Sequence, residues 1–410
     1  MWWPAPRRCP ISERTVRIAA EVIHEETELP GFLPCDPVGL RHPSMKSTAR
    51  FCFCPAAATF LRCVAALLLP TLASVLAQGQ GPFPFTVEET AERITLRGDA
   101  LEASIRKRGY VSGIEAGSFL DRKTGAHDLG FGLDIQDWIM EPGSDAAWRS
   151  QLPGDLPYDF NNAYHGKTPK RSIEGPQICT QAKELRPRVF QGRDFVAIEQ
   201  SWNYTLAAPG KRTGSEWKQT LVFPAGKRYF ISSDRILSRN SGAALFFRQD
   251  MPGHLKHQGG DTFSEVYLSY RGKIPASEFA ADFAPDEKFN YRRDRDGVPK
   301  RMIRAYHTRD PKTGLDGPWL AGMTLNPGDT SEAWCHERTG YVCFIHEVGE
   351  RPVKAGESFG AAYVVGWFDS IGEMERVYDQ YRGYSALEVT AKGWKLIPSG
   401  LPTGARPVVP

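Results

Sequence analysis

Hydrophobic and polar positions alternate with a period of two in several short segments of the chain after residue 79. The pattern is clear in short runs rich in β-branched and aromatic residues, such as 93–97, 216–223, 265–270 and 301–306, and Gly, Pro, Asn and Asp clusters separate these runs. Such alternation is typical of strands that place one face on a core. Because many strands follow one another closely, we expect stacked antiparallel sheets.

One segment near the C-terminus has a helical period instead. Ser370 and Glu373 have the spacing of a capping box. An apolar stripe follows, formed by Ile371, Met374, Val377, Tyr378 and Tyr381, and Gly383 is placed to end the helix. The predicted fold class is therefore mainly β: a large antiparallel β-sandwich, supersandwich-like, with one short C-terminal amphipathic helix.

The N-terminal region predicts export. Basic residues after Met45 precede an apolar run over 63–77 that ends in small residues, which is the arrangement of a secretory signal peptide. The run is short for a bilayer-spanning helix; an uncleaved anchor or a core helix is the alternative.

We expect a non-native, disordered extension or a long signal n-region at 1–44, the signal peptide at 45–77, a single β-sandwich domain at 78–397, and a flexible tail at 398–410. We therefore expect a secreted or periplasmic protein that has no stable membrane span after signal cleavage.

Composition narrows the class further. The 410 residues are 41% hydrophobic with a net charge of +3, which is typical of a soluble globular protein and argues against nucleic acid as a partner. The sequence contains no Gly-x-Ser-x-Gly elbow, phosphate-binding loop or dinucleotide fingerprint. These absences argue against α/β-hydrolases, nucleotide-dependent enzymes and Rossmann dehydrogenases.

Three of the eight cysteines, Cys179, Cys335 and Cys343, follow residue 77. Cys335 and Cys343 flank a predicted hairpin turn at 337–340, so a disulfide between them and two buried free thiols are both open interpretations. No local pattern around either cysteine indicates an activated thiolate, and cysteine catalysis is not expected.

Candidate chemistry is concentrated between Arg248 and Glu265. This segment contains two histidines and three carboxylates, and Pro and Gly residues predict a loop in its middle. His254 or His257 is the predicted general acid/base, with Asp250 or Asp261 as its partner. No cofactor is required, although the same four side chains could bind a divalent metal. A solvated hairpin connection is the third interpretation.

The strand-rich pattern and its extent over residues 85–395 resemble the galactose-mutarotase-like β-supersandwich class of secreted carbohydrate-active proteins. The resemblance is architectural, and the signature segments of aldose epimerases are absent. It implies a carbohydrate substrate and an enzyme that cleaves a glycosidic bond, as a hydrolase or a uronate lyase. The alternatives are a sugar epimerase or mutarotase-like enzyme, and a non-catalytic glycan-binding surface protein.

Further side chains are candidates for contacting a sugar. Arg304 alternates with apolar residues in a predicted strand and could bind the carboxylate or sulfate of an anionic sugar. Aromatic side chains can stack on the apolar faces of sugar rings. The predicted substrate-binding residues are Arg248, Glu265, Arg304, Tyr306, Tyr164, His165, Trp334 and His336.

Overall fold

The computed structural model describes residues 83–111, 113–130, 132–152, 169–257, 262–338 and 340–401. All of them belong to one compact unit, Leu76–Pro410. The predicted extension 1–44, the predicted signal peptide 45–77 and most of the predicted tail lie outside the described residues. Within those residues, no helix is long and apolar enough to cross a membrane.

Strands dominate the described part of the chain. The first thirteen are β1 Phe85–Glu89, β2 Arg93–Gly98, β3 Leu101–Arg106, β4 Arg108–Gly109, β5 Ile114–Glu115, β6 Leu120–Asp121, β7 Gly132–Leu133, β8 Ile135–Pro142, β9 Lys170–Gly175, β10 Lys183–Glu184, β11 Arg188–Gln191, β12 Phe195–Asn203 and β13 Leu206–Ala207. The others are β14 Glu216–Pro224, β15 Tyr229–Leu237, β16 Gly242–Lys256, β17 Phe263–Leu268, β18 Gly272–Pro275, β19 Tyr291–Arg292, β20 Ile303–Arg309, β21 Asp316–Thr324, β22 Thr330–Arg338, β23 Tyr341–Val353, β24 Ser358–Phe368, β25 Tyr384–Thr390 and β26 Gly393–Pro398. The helices are α1 Ile178–Gln181, α2 Arg293–Asp296 and α3 Ile371–Tyr381, with 3-10 turns at Arg149–Gln151, Ala276–Phe279 and Pro327–Asp329.

Two large sheets form the body of the unit. A nine-stranded sheet has the order β11-β12-β14-β15-β24-β21-β20-β17-β18, and a seven-stranded sheet has the order β13-β9-β8-β16-β23-β22-β19. The strands of both sheets pair antiparallel throughout the described residues. The predicted mainly β sandwich class is therefore confirmed.

The main core lies between the two sheets. Phe247 and Phe344 of the seven-stranded sheet share one buried cluster with Trp217, Leu221 and Tyr363 of the nine-stranded sheet. The alternation seen in the sequence produces this layer, because every second side chain of each strand faces the opposite sheet.

Helix α3 covers the other face of the nine-stranded sheet. Met374 and Tyr378 on its buried side pack in a second cluster with residues of β20, β21 and β24. The predicted cap is present: the Ser370 hydroxyl accepts a hydrogen bond from the Glu373 backbone N–H at 3.2 Å. Gly383 follows at a φ of 94°, as the predicted end of the helix requires.

A polar network crosses the apolar core. The Gln249 side-chain amide donates to Asp134 and, at 2.7 Å, to Asp234, and Trp217 Nε1 donates to Asp234 at 2.6 Å. Burial raises the pKa of Asp134 to about 6. Burial, together with the charge of Asp134, raises the pKa of Asp234 well above its usual range. Both carboxyl groups accept from the Gln249 amide and interact electrostatically with each other, which favours one proton held between them.

This pair predicts that stability falls as the pH rises. A carboxyl whose pKa is raised on folding stabilises the folded state below its unfolded pKa, near 4, and that contribution is lost as the pH rises through the folded pKa, about 6 for Asp134. We expect the free energy of unfolding to fall by about 1–3 kcal/mol between pH 5 and pH 8. Asp234→Asn removes the charge and keeps one oxygen to accept from Trp217 Nε1, although its amide nitrogen cannot accept from Gln249. Urea titrations of this variant should show a flatter pH profile. An equal fall in both proteins would contradict the assignment.

Candidate functional site

The seven-stranded sheet has a second face, opposite the core, which we call the outer face. Along β16, Phe247 and Met251 belong to the core cluster, whereas Arg248 and Asp250 lie at the alternate positions. These two side chains are nonetheless buried. The outer face therefore presents ionisable groups in a low-dielectric environment, where charge interactions are strong.

Strand register arranges the outer-face side chains of β16, β23 and β22 in three rows. Residues directly opposite on adjacent antiparallel strands have their Cβ atoms about 4.5–5.5 Å apart and so interact side by side. The rows are Arg248–Glu347–Glu332, Asp250–Ile345–Trp334 and His254–Cys343–His336.

A β-bulge in β16 brings Asp250 and His254 into neighbouring rows. Asp250 pairs with Ile345 and Gly253 pairs with Phe344, so three residue steps on β16 match one step on β23. Gly253 adopts a φ of 108° there, and a Cβ on it would lie 2.1 Å from the Gly132 carbonyl oxygen. The expectation of a loop in this segment was therefore wrong up to Lys256: β16 continues, because the bulge accommodates Pro252 and Gly253 without ending the strand.

Asp250 and His254 form the central ionisable pair. His254 Nε2 lies 2.9 Å from Asp250 Oδ2, and the His254 side chain is 28% exposed whereas Asp250 is buried. Burial by itself lowers the pKa of His254, but the negative charges of Asp250 and Cys343 outweigh it and raise that pKa well above its usual range. His254 is thus a partly accessible imidazolium at neutral pH.

Cys343 lies between the two histidines of its row. Burial raises the pKa of its thiol, but electrostatic interactions and hydrogen bonds with His254 and His336 lower it to about 6. The sulfur is therefore largely a thiolate at neutral pH. Cys343 is a free cysteine, because its register partner on β22 is His336 and Cys335 belongs to the core cluster on the opposite face. The geometry favours the free-thiol interpretation over the disulfide.

A compact ion network fills the row Arg248–Glu347–Glu332. Arg248 Nη2 lies 2.9 Å from Glu347 Oε1, and Lys170 Nζ of β9 lies 2.9 Å from Glu347 Oε2 and 2.8 Å from Glu332 Oε2. Both cations also lie over the Trp334 ring, at 4.6 Å for Lys170 and 5.1 Å for Arg248. Two cations and two carboxylates balance each other, so this row can hold its side chains rigidly.

Asp137 of β8 adds a second buried carboxyl near the pair. Burial and the charge of Asp250 raise its pKa to about 7. Gln177 Nε2 donates to its Oδ1 at 2.7 Å, and the Cys179 thiol lies 3.7 Å from the same oxygen. A carboxyl that titrates near neutral pH can exchange a proton with a substrate or a water molecule.

The structure separates other predicted residues from this group. His257 is buried, stacks on Phe263 at 3.8 Å and lies 2.9 Å from the Thr262 hydroxyl through Nδ1. Glu265 is on β17 of the nine-stranded sheet, paired with Lys273 at 2.6 Å. Tyr306 is buried in the core cluster. Asp261, Tyr164 and His165 lie outside the described residues.

Arg304, predicted to bind an anionic sugar, lies in β20 and is buried. It donates to the carbonyl oxygens of Ile345 at 2.6 Å and Trp334 at 3.2 Å, and also to that of Met251. Its guanidinium therefore supports the backbone beneath the row Asp250–Ile345–Trp334 from the core side.

The predicted metal set is not assembled by the part of the chain that the structure describes. Asp250 and His254 are together, but His257 is elsewhere and Asp261 is outside that part. Among the described residues, no group of three or more His, Cys, Asp or Glu side chains is arranged to hold a metal ion.

Sequence reasoning selected Arg248, Asp250, His254, Trp334 and His336 as candidates but not Cys343. The partners of Cys343 come from two other strands, so no local pattern around it could reveal them. The sequence did contain one partial indication of the site. A hairpin with its turn at 337–340 places His336 and Cys343 on neighbouring strands, nearly opposite each other.

Comparisons with known proteins give architectural likenesses. No family model matches the sequence, and no curated protein matches it. Among solved structures, a galactose mutarotase-like protein from Clostridium acetobutylicum is 10% identical, covering 70% of this chain and 99% of its own, with a TM-score of 0.36. Galactose 1-epimerase from Lactobacillus acidophilus is 10% identical over 70% of this chain and 98% of its own, with a TM-score of 0.35.

A third solved structure is larger than this chain. Heparan sulfate lyase HepC from Pedobacter heparinus is 13% identical, covering 77% of this chain and 42% of the lyase, with a TM-score of 0.33. The matched structures thus include a galactose mutarotase-like protein, the class that the sequence resembles, and the likeness is structural only. At these TM-scores and identities, no reaction or residue role is carried over to this chain.

The bulge yields a prediction about stability. We expect Gly253→Ala to destabilise the protein by about 3 kcal/mol, because the new Cβ adds a collision with the Gly132 carbonyl to the cost of a positive φ. Gly272→Ala is the matched control: its φ is 102°, with open space around the Cβ position, so only the conformational cost of about 1 kcal/mol applies. Denaturant titration compares them, and equal losses would show that the close approach is unimportant.

Proposed function

We propose that the protein is a secreted carbohydrate-active enzyme that cleaves a glycosidic bond, with His254 as the general acid. The observation that carries the proposal is the Asp250–His254 pair, 2.9 Å apart, in which the partly exposed member is the imidazolium. The carbohydrate substrate class rests on the resemblance of the strand pattern to the supersandwich class, and the export on the apolar run at 63–77.

Each residue has a distinct task in the proposed reaction. Cleavage of a glycosidic bond requires a proton on the leaving oxygen, and the His254 imidazolium can donate it. Asp250 holds the imidazole in orientation and keeps it charged. Asp137, with a pKa of about 7, is the nearby carboxyl that can accept a proton from water in hydrolysis or from a sugar carbon in elimination.

Epimerisation is the second candidate, and one observation favours it. His254 and Asp137 interact electrostatically; the pKa of Asp137 is about 7, whereas the pKa of His254 is raised well above its usual range. At neutral pH His254 is therefore protonated and can act as the acid, while the ionised form of Asp137 can act as the base. Proton exchange on a single sugar ring needs both groups.

The test is product analysis of the purified protein on neutral and uronate-containing glycans. New reducing ends with an ultraviolet-absorbing unsaturated sugar indicate elimination, and reducing ends without that absorbance indicate hydrolysis. Anomer interconversion without cleavage supports the epimerase. Binding with no product from any glycan would overturn the enzyme assignment in favour of a glycan-binding protein.

We expect His254→Gln to lower kcat/KM on the active glycan by about 10²–10⁴-fold, because the general acid is lost. His307→Gln is the matched control: His307 is also partly buried, but it stacks on Trp319 at 4.5 Å in the nine-stranded sheet. It should retain nearly full activity. Similar losses in both variants would remove His254 from the mechanism.

The charge of Asp250 sets the alkaline limit of activity. Because Asp250 raises the pKa of His254, the alkaline fall of the wild-type rate, where the imidazolium loses its proton, should lie above neutral pH. Protonation of the Asp137 base, whose pKa is about 7, lowers the rate on the acid side. Asp250→Asn removes that negative charge, and the fall should move to lower pH by about one unit or more. A pH profile of kcat/KM measures it; an unmoved alkaline limb would show that another group is the acid.

A further inference from the structure

We propose that Cys343 is a nucleophilic thiolate site that reacts with small uncharged electrophiles, of which hydrogen peroxide and iodoacetamide are examples. The proposal goes beyond the proposed function, because it requires no glycan and no turnover. It stands on the position of the sulfur within a row of three side chains that strand register fixes.

Two imidazoles flank the sulfur from both sides. His254 on β16 and His336 on β22 are the direct register partners of Cys343 on β23, so their side chains lie on either side of its side chain on the same face of the sheet. Asp250 in turn pairs with His254 at 2.9 Å. A thiol, an imidazole and a carboxylate in sequence is an arrangement that activates a nucleophile, because the carboxylate stabilises the imidazolium and the imidazolium stabilises the thiolate.

Access to the sulfur is narrow. Cys343 is 7% exposed, while the neighbouring His254 side chain is 28% exposed. Small neutral reagents can approach beside the imidazole, whereas bulky or charged ones must displace packed side chains. Both size and charge therefore limit which reagents can reach the Cys343 sulfur.

The chain contains its own control at Cys335. This residue lies on the adjacent strand but faces the core, and it is fully buried. Burial raises the pKa of its thiol to about 12. Cys179 is also buried and lies 3.7 Å from a carboxyl oxygen of Asp137. Neither has two imidazoles beside it in register, so both should remain thiols.

The titratable groups that interact with the Cys343 sulfur come from two strands. They are His254 on β16 and His336, Cys335 and Glu337 on β22. The two histidines lower the thiol pKa to about 6 against the opposing effect of burial. Reactivity should therefore increase as the pH rises through about 6 and level off at neutral pH, well below the range of an ordinary thiol near 8.5.

Both reactions balance without a further reactant. With iodoacetamide, the sulfur forms a bond to the methylene carbon and iodide leaves with the electron pair of the carbon–iodine bond. With peroxide, the sulfur attacks one oxygen, the O–O bond breaks, and hydroxide takes up a proton to leave as water, so that the cysteine becomes a sulfenic acid and the peroxide is reduced.

The experiment is timed alkylation of the full chain with iodoacetamide between pH 5 and pH 9, followed by peptide mass spectrometry of each cysteine. We expect Cys343 to react at least about 100-fold faster than Cys335 at pH 7, with a midpoint near pH 6. In His254→Gln the midpoint should move toward pH 8, whereas His307→Gln should leave the profile of Cys343 unchanged.

Two outcomes would overturn the proposal: equal rates at Cys343 and Cys335, or a wild-type midpoint near pH 8.5. Circular dichroism and the melting temperature confirm that each variant is folded, and the wild-type comparison of two cysteines needs no variant. Because no glycan is used, failure of this test is separate from failure of the proposed enzymatic activity.

Discussion

The register between β16, β23 and β22 is the constraint on which the site depends. Antiparallel pairing gives each side chain one opposite neighbour and one face, so the three rows of the outer face follow once the pairing is set. The bulge in β16 is the single irregularity that matters for the chemistry. It brings Asp250 and His254, four residues apart, into neighbouring rows.

Charge is distributed unevenly among the rows. Arg248 and Lys170 are neutralised by Glu347 and Glu332, and these side chains fix one another in place. The row of His254 and Cys343 instead holds charges that depend on proton position. The outer face thus combines a rigid ion network with a titratable group beside it, and the core network of Asp134 and Asp234 shows that this chain accepts buried carboxyl groups elsewhere as well.

The fold class was predictable because the evidence for it is local. Period-two alternation identified the strands, and Ser370 with Glu373 identified the start of α3. The site was predictable only where its residues are neighbours in sequence, as Asp250 and His254 are. Cys343 was missed because its partners lie on other strands. Arg304 was placed on a binding surface because alternation alone does not say which face of a strand meets the core.

Arg304 links the two sheets mechanically. From β20 its guanidinium donates hydrogen bonds to the carbonyl oxygens of Met251, Trp334 and Ile345, one on each of the three strands that carry the site. If one sheet slid over the other, these hydrogen bonds would therefore displace all three strands together. The register between the three strands would be kept. The outer face is thus tied to the opposite sheet, and a residue that does not reach this face maintains the alignment of its three strands.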